Sequence, residues 1–119
     1  HERSYVVPVG YNAITVEIDE ADAPHPLPLG PRMDLFVVSS GPDRHRSQKK
    51  ISKVVLENVK VLQVSSYMIV STGGASSIND SHSRLTVTLQ VTPEEARRVA
   101  IAEMEGKLQL VMSALESAK

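Results

Sequence analysis

The sequence predicts a mainly β domain with one short α-helix, an α+β fold whose chain closes on strand, helix and strand. Three observations predict it. Several segments alternate apolar and polar residues with period two, the pattern of half-buried strands. Helical spacing is confined to residues 93–105, where the start and stop signals agree with it. The connecting stretches are rich in Pro, Gly and Ser, which supply turns and extended links.

Along the chain, "SYVVPVGYNAITVEIDEA" (residues 4–21) holds two short β-type runs. In the second, Ile14, Val16 and Ile18 alternate with Thr15, Glu17 and Asp19, so one face meets a core. "DAPHPLPLGPR" (22–32) places four prolines in eleven residues, which removes backbone donors and predicts an extended connector ending in a turn at Gly30 and Pro31. "MDLFVVSS" (33–40) is apolar on both faces and reads as a central strand. After the polar, basic stretch "GPDRHRSQKK", the run "SKVVLENVKVLQV" (52–64) is a long strand in which Asn58 breaks the apolar pattern and predicts a bulge or bend. Residues 40–50 and 71–83 are expected to be loops, the second a mobile one, with only Tyr67 to Val70 of the Ser- and Gly-rich stretch able to pair.

The ending, "LTVTLQVTPEEARRVAIAEMEGKLQLVM" (85–112), is the most informative. Leu85, Val87, Leu89 and Val91 alternate with polar residues and form a strand. Thr92 then stands at the N-cap, Pro93 at the first helical position and Glu95 at the third, where its carboxylate reaches back to the cap amide. Ala96, Val99, Ala100 and Met104 recur at helical spacing as a thin stripe facing the sheet, while Arg97, Arg98, Glu103 and Glu105 face water. Gly106 is expected to stop the helix in a left-handed cap, after which Leu108, Leu110 and Met112 begin a last strand.

Composition narrows the function. At 119 residues the chain has the length of one domain, or one plus a fragment. It has no cysteine, which excludes disulfides and thiolate metal sites. Thirteen basic against 14 acidic residues give a formal charge of -1, which argues against a nucleic-acid surface and for protein partners. No metal, cofactor or catalytic residue is assigned. The four histidines, His1, His25, His45 and His82, lack metal-ligand spacing, and Asp80, Ser81 and His82 are adjacent residues where a triad needs separate elements. "STGGASS" lacks the Gly-Lys-Ser/Thr ending of a phosphate cradle. Glu94 and Glu95 are explained by the helix start, where carboxylates meet the macrodipole. The basic group Arg44, Arg46, Lys49 and Lys50 has few aromatics near it, since the chain has one Phe, three Tyr and no Trp; it is a solvated loop and the candidate contact for an acidic partner surface or an anionic glycan strand.

The segment "VTLQVTPEEARRVAIAEMEGKLQLVM" resembles the ending of the CpaB/RcpC family of Flp (tight adherence) pilus assembly proteins, whose pattern is T-L-x-V-T-P-E-x-A, an Ala-rich helix and G-K-L-x-L. Thr88, Leu89, Val91 to Glu94, Ala96, Ala100, Ala102, Glu103, Gly106 to Leu108 and Leu110 carry the match. "LENVKVLQV" resembles the family's L-x-N-V-x-V-L strand, and "AITVEIDEADAPHPLPLGPRMDLFVV" its A-V-x-V-x-V-D-E stretch followed by P-G-D-x-V-D-V. There Leu29-Gly30-Pro31 replaces Pro-Gly-Asp, so a different turn is expected. The resemblance implies the end of a SAF-like, β-clip segment with its Pro-rich connector over residues 1–32 and the family's C-terminal β domain over 33–119. It implies a full-length protein held in the inner membrane by an N-terminal helix that this chain lacks, and a periplasmic, non-catalytic part docking onto the outer-membrane secretin, other pilus proteins or copies of itself. The alternative is a SAF-like module that binds a small ligand or glycan.

Overall fold

The computed structural model describes residues 5–24, 26, 27, 30–41, 49–71 and 80–114. Five strands and one helix appear in the order β1 (Asn12–Asp19), a single 3-10 turn (Glu20–Asp22), β2 (Arg32–Gly41), β3 (Lys49–Ser71), β4 (Asp80–Val91), α1 (Pro93–Glu105) and β5 (Lys107–Met112). They form one antiparallel sheet in the spatial order β1-β4-β3-β2-β5.

The long strand β3 organises this sheet because it changes partner halfway. Its first half, Lys49 to Lys60, pairs with β2, and its second half, Lys60 to Ser71, pairs with β4. Bulges mark the exchange. The register slips opposite Leu35, and Asn58 stands at φ 59°, a left-handed conformation that Asn tolerates better than most residues. Asp34 holds it there, its Oδ1 accepting from the Asn58 N–H at 2.9 Å. A second slip falls between Val61 and Gln63. The sheet therefore curls, and its edge strands β1 and β5 come into contact without pairing.

The curled face encloses the core, with Val16 and Ile18 from β1, Met33, Leu35 and Val37 from β2, Leu56, Val59 and Val61 from β3, and Leu85, Val87, Leu89 and Val91 from β4. Period-two alternation delivers these side chains to one side. Each fully buried Leu, Ile or Met contributes about 1.5–3 kcal/mol relative to an exposed one. The connector helps close one side, with Ala23 and Leu27 packed on the core. Helix α1 packs chiefly on β3 and β2 and buries Val99 and Ala102.

The structure corrects several expectations. Of the two β-type runs near the N-terminus only Asn12–Asp19 forms a strand, because Gly10 turns the chain at φ 94° and Val6 is left exposed. Strand β2 is interior, as expected, paired with β3 on one side and β5 on the other. The loops are shorter than 40–50 and 71–83: Ser40, Gly41, Lys49 and Lys50 pair between β2 and β3, and Ser71 and Asp80 to Ser83 pair between β3 and β4, so backbone pairing overrides the Ser- and Gly-rich composition. Residues 42–48 and 72–79 lie outside the described residues.

The helix face is also rotated from the expected one. Ala100 and Met104 are exposed, whereas Ala102 joins Val99 in the core. The cause lies at Gly106, which stands on the Ala102 side and lies against the backbone of Val38 and Ser39, drawing that face onto the sheet. The boundary at residues 32/33 falls directly after the first residue of β2, within this single sheet.

Candidate functional site

The local signals around α1 translate into geometry. Thr92 Oγ1 accepts from the Glu95 N–H at 3.1 Å, and Glu95 Oε1 accepts from the Thr92 N–H at 2.9 Å, with Pro93 at the first helical position. Two helix-end donors are thereby satisfied, which explains why Glu95 is structural. Glu94 faces Arg97 at 3.4 Å on an exposed surface. The Gly106 N–H donates to the Ala102 carbonyl at 3.2 Å, but the residue is not left-handed: φ is 179° and ψ is -155°, extended backbone. Glycine is needed there for space instead, since a Cβ would fall onto the Val38 carbonyl oxygen and lie 2.9 Å from its carbon.

The basic group is divided. Lys49 and Lys50 open β3, exposed and paired with Gly41 and Ser40, while Arg44 and Arg46 lie outside the described residues. His1, His25 and His45 also lie outside them. Asp80, Ser81 and His82 are consecutive residues of β4. No group of three or more His, Cys, Asp or Glu with metal-binding geometry occurs among the described residues.

A charge cluster that the sequence did not single out lies where β1 and β5 approach. Asp19, at the end of β1, stands 3.0 Å from the Lys107 Nζ through Oδ2 and 3.4 Å from the Arg84 Nε through Oδ1, with His82 Nε2 at 4.0 Å. Lys107 also meets Asp22 at 3.3 Å. On the same outer face Tyr67 donates to Glu17 Oε1 at 2.9 Å, and Arg84 Nη2 donates to the Glu17 carbonyl at 3.3 Å. The Lys107 ammonium, helped by Arg84 and His82, holds the Asp19 carboxyl below its usual 3.8 against a smaller opposing effect of desolvation. In return Asp19 and then Asp22 raise Lys107 above 10.5, and the bond to Glu17 raises Tyr67 above 10.0. No spacing rule could have found this cluster, because its members come from β1, the 3-10 turn, β4 and β5.

Of these groups Glu17, Asp19, Arg84 and Lys107 line an open cleft of about 250 Å³ together with Glu103 and Gly106. Asp19 and Asp22 are paired with Lys107 and Arg84, so these charges fasten the edge strands together, while the Glu17 and Glu103 carboxylates stand beside them. A smaller groove between β3 and α1, about 140 Å³, is lined by Val54, Ile101 and Arg98 and crossed by Lys53 and Glu105 at 3.2 Å.

Fold and surface thus define a small antiparallel β domain with a capped helix, whose polar side chains serve pairing and capping. The chain belongs to the Flp pilus assembly protein RcpC/CpaB family, whose sequence pattern matches residues 2–113 and so covers all five strands and the helix. No curated protein and no solved structure matches it. The membership gives the chain a role in pilus assembly and an association with the cell envelope. No helix among the described residues is long and apolar enough to cross a membrane.

Proposed function

We propose that this chain is a non-catalytic, periplasmic structural component of a Flp/Tad-type (type IVb) pilus or secretion apparatus, docking onto the outer-membrane secretin and other pilus-assembly proteins. The carrying observation is family membership across residues 2–113. In this reading residues 1–32 end a SAF-like, β-clip segment, residues 33–119 form the docking domain, and an N-terminal helix anchors the full-length protein in the inner membrane. Open strand edges and exposed loops supply the contacts, since main-chain pairing gives affinity without a pocket. The basic group Arg44, Arg46, Lys49 and Lys50 steers an acidic partner surface; the exposure of Lys49 and Lys50 supports that role.

The second reading, a small-ligand or glycan module, draws on the charged cleft at Asp19 and Lys107. It is the weaker one, because a ligand there would have to displace ion pairs already made. The test is co-purification of the secretin of the same system with the chain from solubilised envelopes, comparing wild type with Arg44→Ser/Arg46→Ser/Lys49→Ser/Lys50→Ser. The secretin is expected with wild type and at clearly reduced yield with the quadruple variant. Absence of the secretin from the wild-type eluate overturns the docking, and equal yields remove the basic group from it.

A further inference from the structure

Beyond Lys60, β3 is paired with a strand on one side only among the described residues. Its pairing with β2 ends at Arg32↔Lys60, and no other strand among the described residues takes its second edge. Strand β1 stops at Asp19↔Arg84, so the pairs Met68↔Ser83, Ile69↔His82, Val70↔Ser81 and Ser71↔Asp80 continue alone as a two-stranded arm. Such a ribbon is marginal in water by itself. Long free edges are ordinarily blunted by lysines, prolines or inward charges, yet no charged residue and no proline occurs from Val61 to Ser71. The arm also continues the core face outward. Val64 and Ser66 lie opposite the buried Val87 and Leu85, and next along that face come Met68 and Val70, 63% and 56% exposed.

We propose that the occupant of this edge is a second copy of the same chain, its β3 lying antiparallel to the first about a two-fold axis at Tyr67. A two-fold there sets Val70 against the partner's Val64, Met68 against the partner's Ser66 and Ile69 against the partner's Ser65. Val70, exposed in the single chain, then meets the partner's Val64, which packs on the core, while Met68 lies over the partner's Ser66 beside it. Because the segment is free of charge, the two-fold sets no like charges opposite each other, a placement that destabilises cross-strand pairs. The nine residues 63–71 give an edge of roughly 30 Å at about 3.4 Å per residue, long enough to join the two curled sheets into one. The pairing is independent of which envelope protein the chain binds and goes beyond the docking reading.

Sedimentation equilibrium of the 119-residue chain, from micromolar to millimolar, tests it. Two-chain mass is expected, with the dissociation constant rising at least about 100-fold in Met68→Lys/Val70→Lys, which plants charge on both edges at once. Both positions are exposed, so the melting temperature of the dissociated variant should stay near that of the dissociated wild type. Since the chain has no cysteine, Tyr67→Cys alone should form an oxidised dimer, whereas Ser52→Cys, on the half of β3 paired with β2, should not. Single-chain mass at millimolar concentration, unchanged association of the lysine variant, or equal cross-linking at the two cysteine positions would each overturn the pairing.

Discussion

Replacing Gly106 by alanine adds one methyl group at the point where α1 turns into β5, and the structure fixes what that methyl meets. Its nearest neighbours are the Val38 carbonyl oxygen, the Val38 carbonyl carbon at 2.9 Å and the Ser39 Cα at 3.0 Å. All three are backbone atoms, so no side chain can rotate away, and relief requires moving β5 from β2 by something on the order of 1 Å. The next pair in the ladder is Val38↔Lys107, so that movement weakens the first β2–β5 bonds as well. Overpacking of this kind costs about 1–3 kcal/mol and a weakened backbone bond about 1 kcal/mol more. At about 4 °C per kcal/mol for a domain of this size, the melting temperature should fall by roughly 8–16 °C. Thermal unfolding followed by circular dichroism measures it at fixed protein concentration. Gly30→Ala is the control, because Gly30 has open space but φ 102°, and its strain of about 1–2 kcal/mol predicts a smaller loss. A Gly106→Ala protein melting within about 2 °C of wild type, or above Gly30→Ala, would refute the steric argument.

Two further outcomes follow from the same contacts. Thr92→Ala should lower urea-unfolding stability by about 1 kcal/mol with unchanged slope, while Thr92→Ser stays near wild type because its hydroxyl still accepts from Glu95; an unchanged midpoint in Thr92→Ala would show the cap to be idle. The depressed Asp19 contributes stability that is fully present above its unfolded value of 3.8 and is lost as pH falls through the lower folded value, while the raised Lys107 contributes below 10.5 and loses it as pH rises through the higher folded value. Melting temperature against pH should therefore fall less at both extremes in Lys107→Gln than in wild type, by an amount under about 1 kcal/mol because Lys107 is exposed; superimposable limbs would exclude the pair from the stability.

What was legible in the sequence was what short-range chemistry decides. The alternation in residues 85–91 determined which side chains enter the core, and Thr92, Pro93 and Glu95 marked the helix start through contacts no more than three residues long. Asn58 was readable as a bulge because an amide in an apolar run has little reason to be there otherwise. What failed depended on distant partners. The helix stripe Ala96, Val99, Ala100, Met104 and its neighbour through Ala102 satisfy the same period, and only the approach of Gly106 to Val38 chooses between them. Ser65, Ser66 and Asp80 to Ser83 look like loop by composition, yet each has a strand partner whose backbone serves any residue equally. Asp19 read as one polar position in an alternating strand, since nothing near it in sequence announces Lys107.

Gly106 and Lys107 adjoin in the chain, and the structure makes them one device. The two edge strands of the curled sheet touch without a hydrogen-bonded ladder, so their closure rests on side chains. Lys107 bridges them by meeting Asp19 of β1 and Asp22 of the following turn, but only if β5 begins at the right place. That starting point is set one residue earlier, where the missing side chain of Gly106 lets the helix end lie on the Val38 backbone. A glycine chosen for proximity thus positions a lysine chosen for charge. Ordinary β closure would have used backbone donors and left no free edge, whereas here no strand among the described residues pairs with the second edge of β3 beyond Lys60. In a family whose work is assembly, a sheet fastened by ion pairs at one seam and, among the described residues, unpaired along another keeps main-chain hydrogen-bonding capacity for a partner strand.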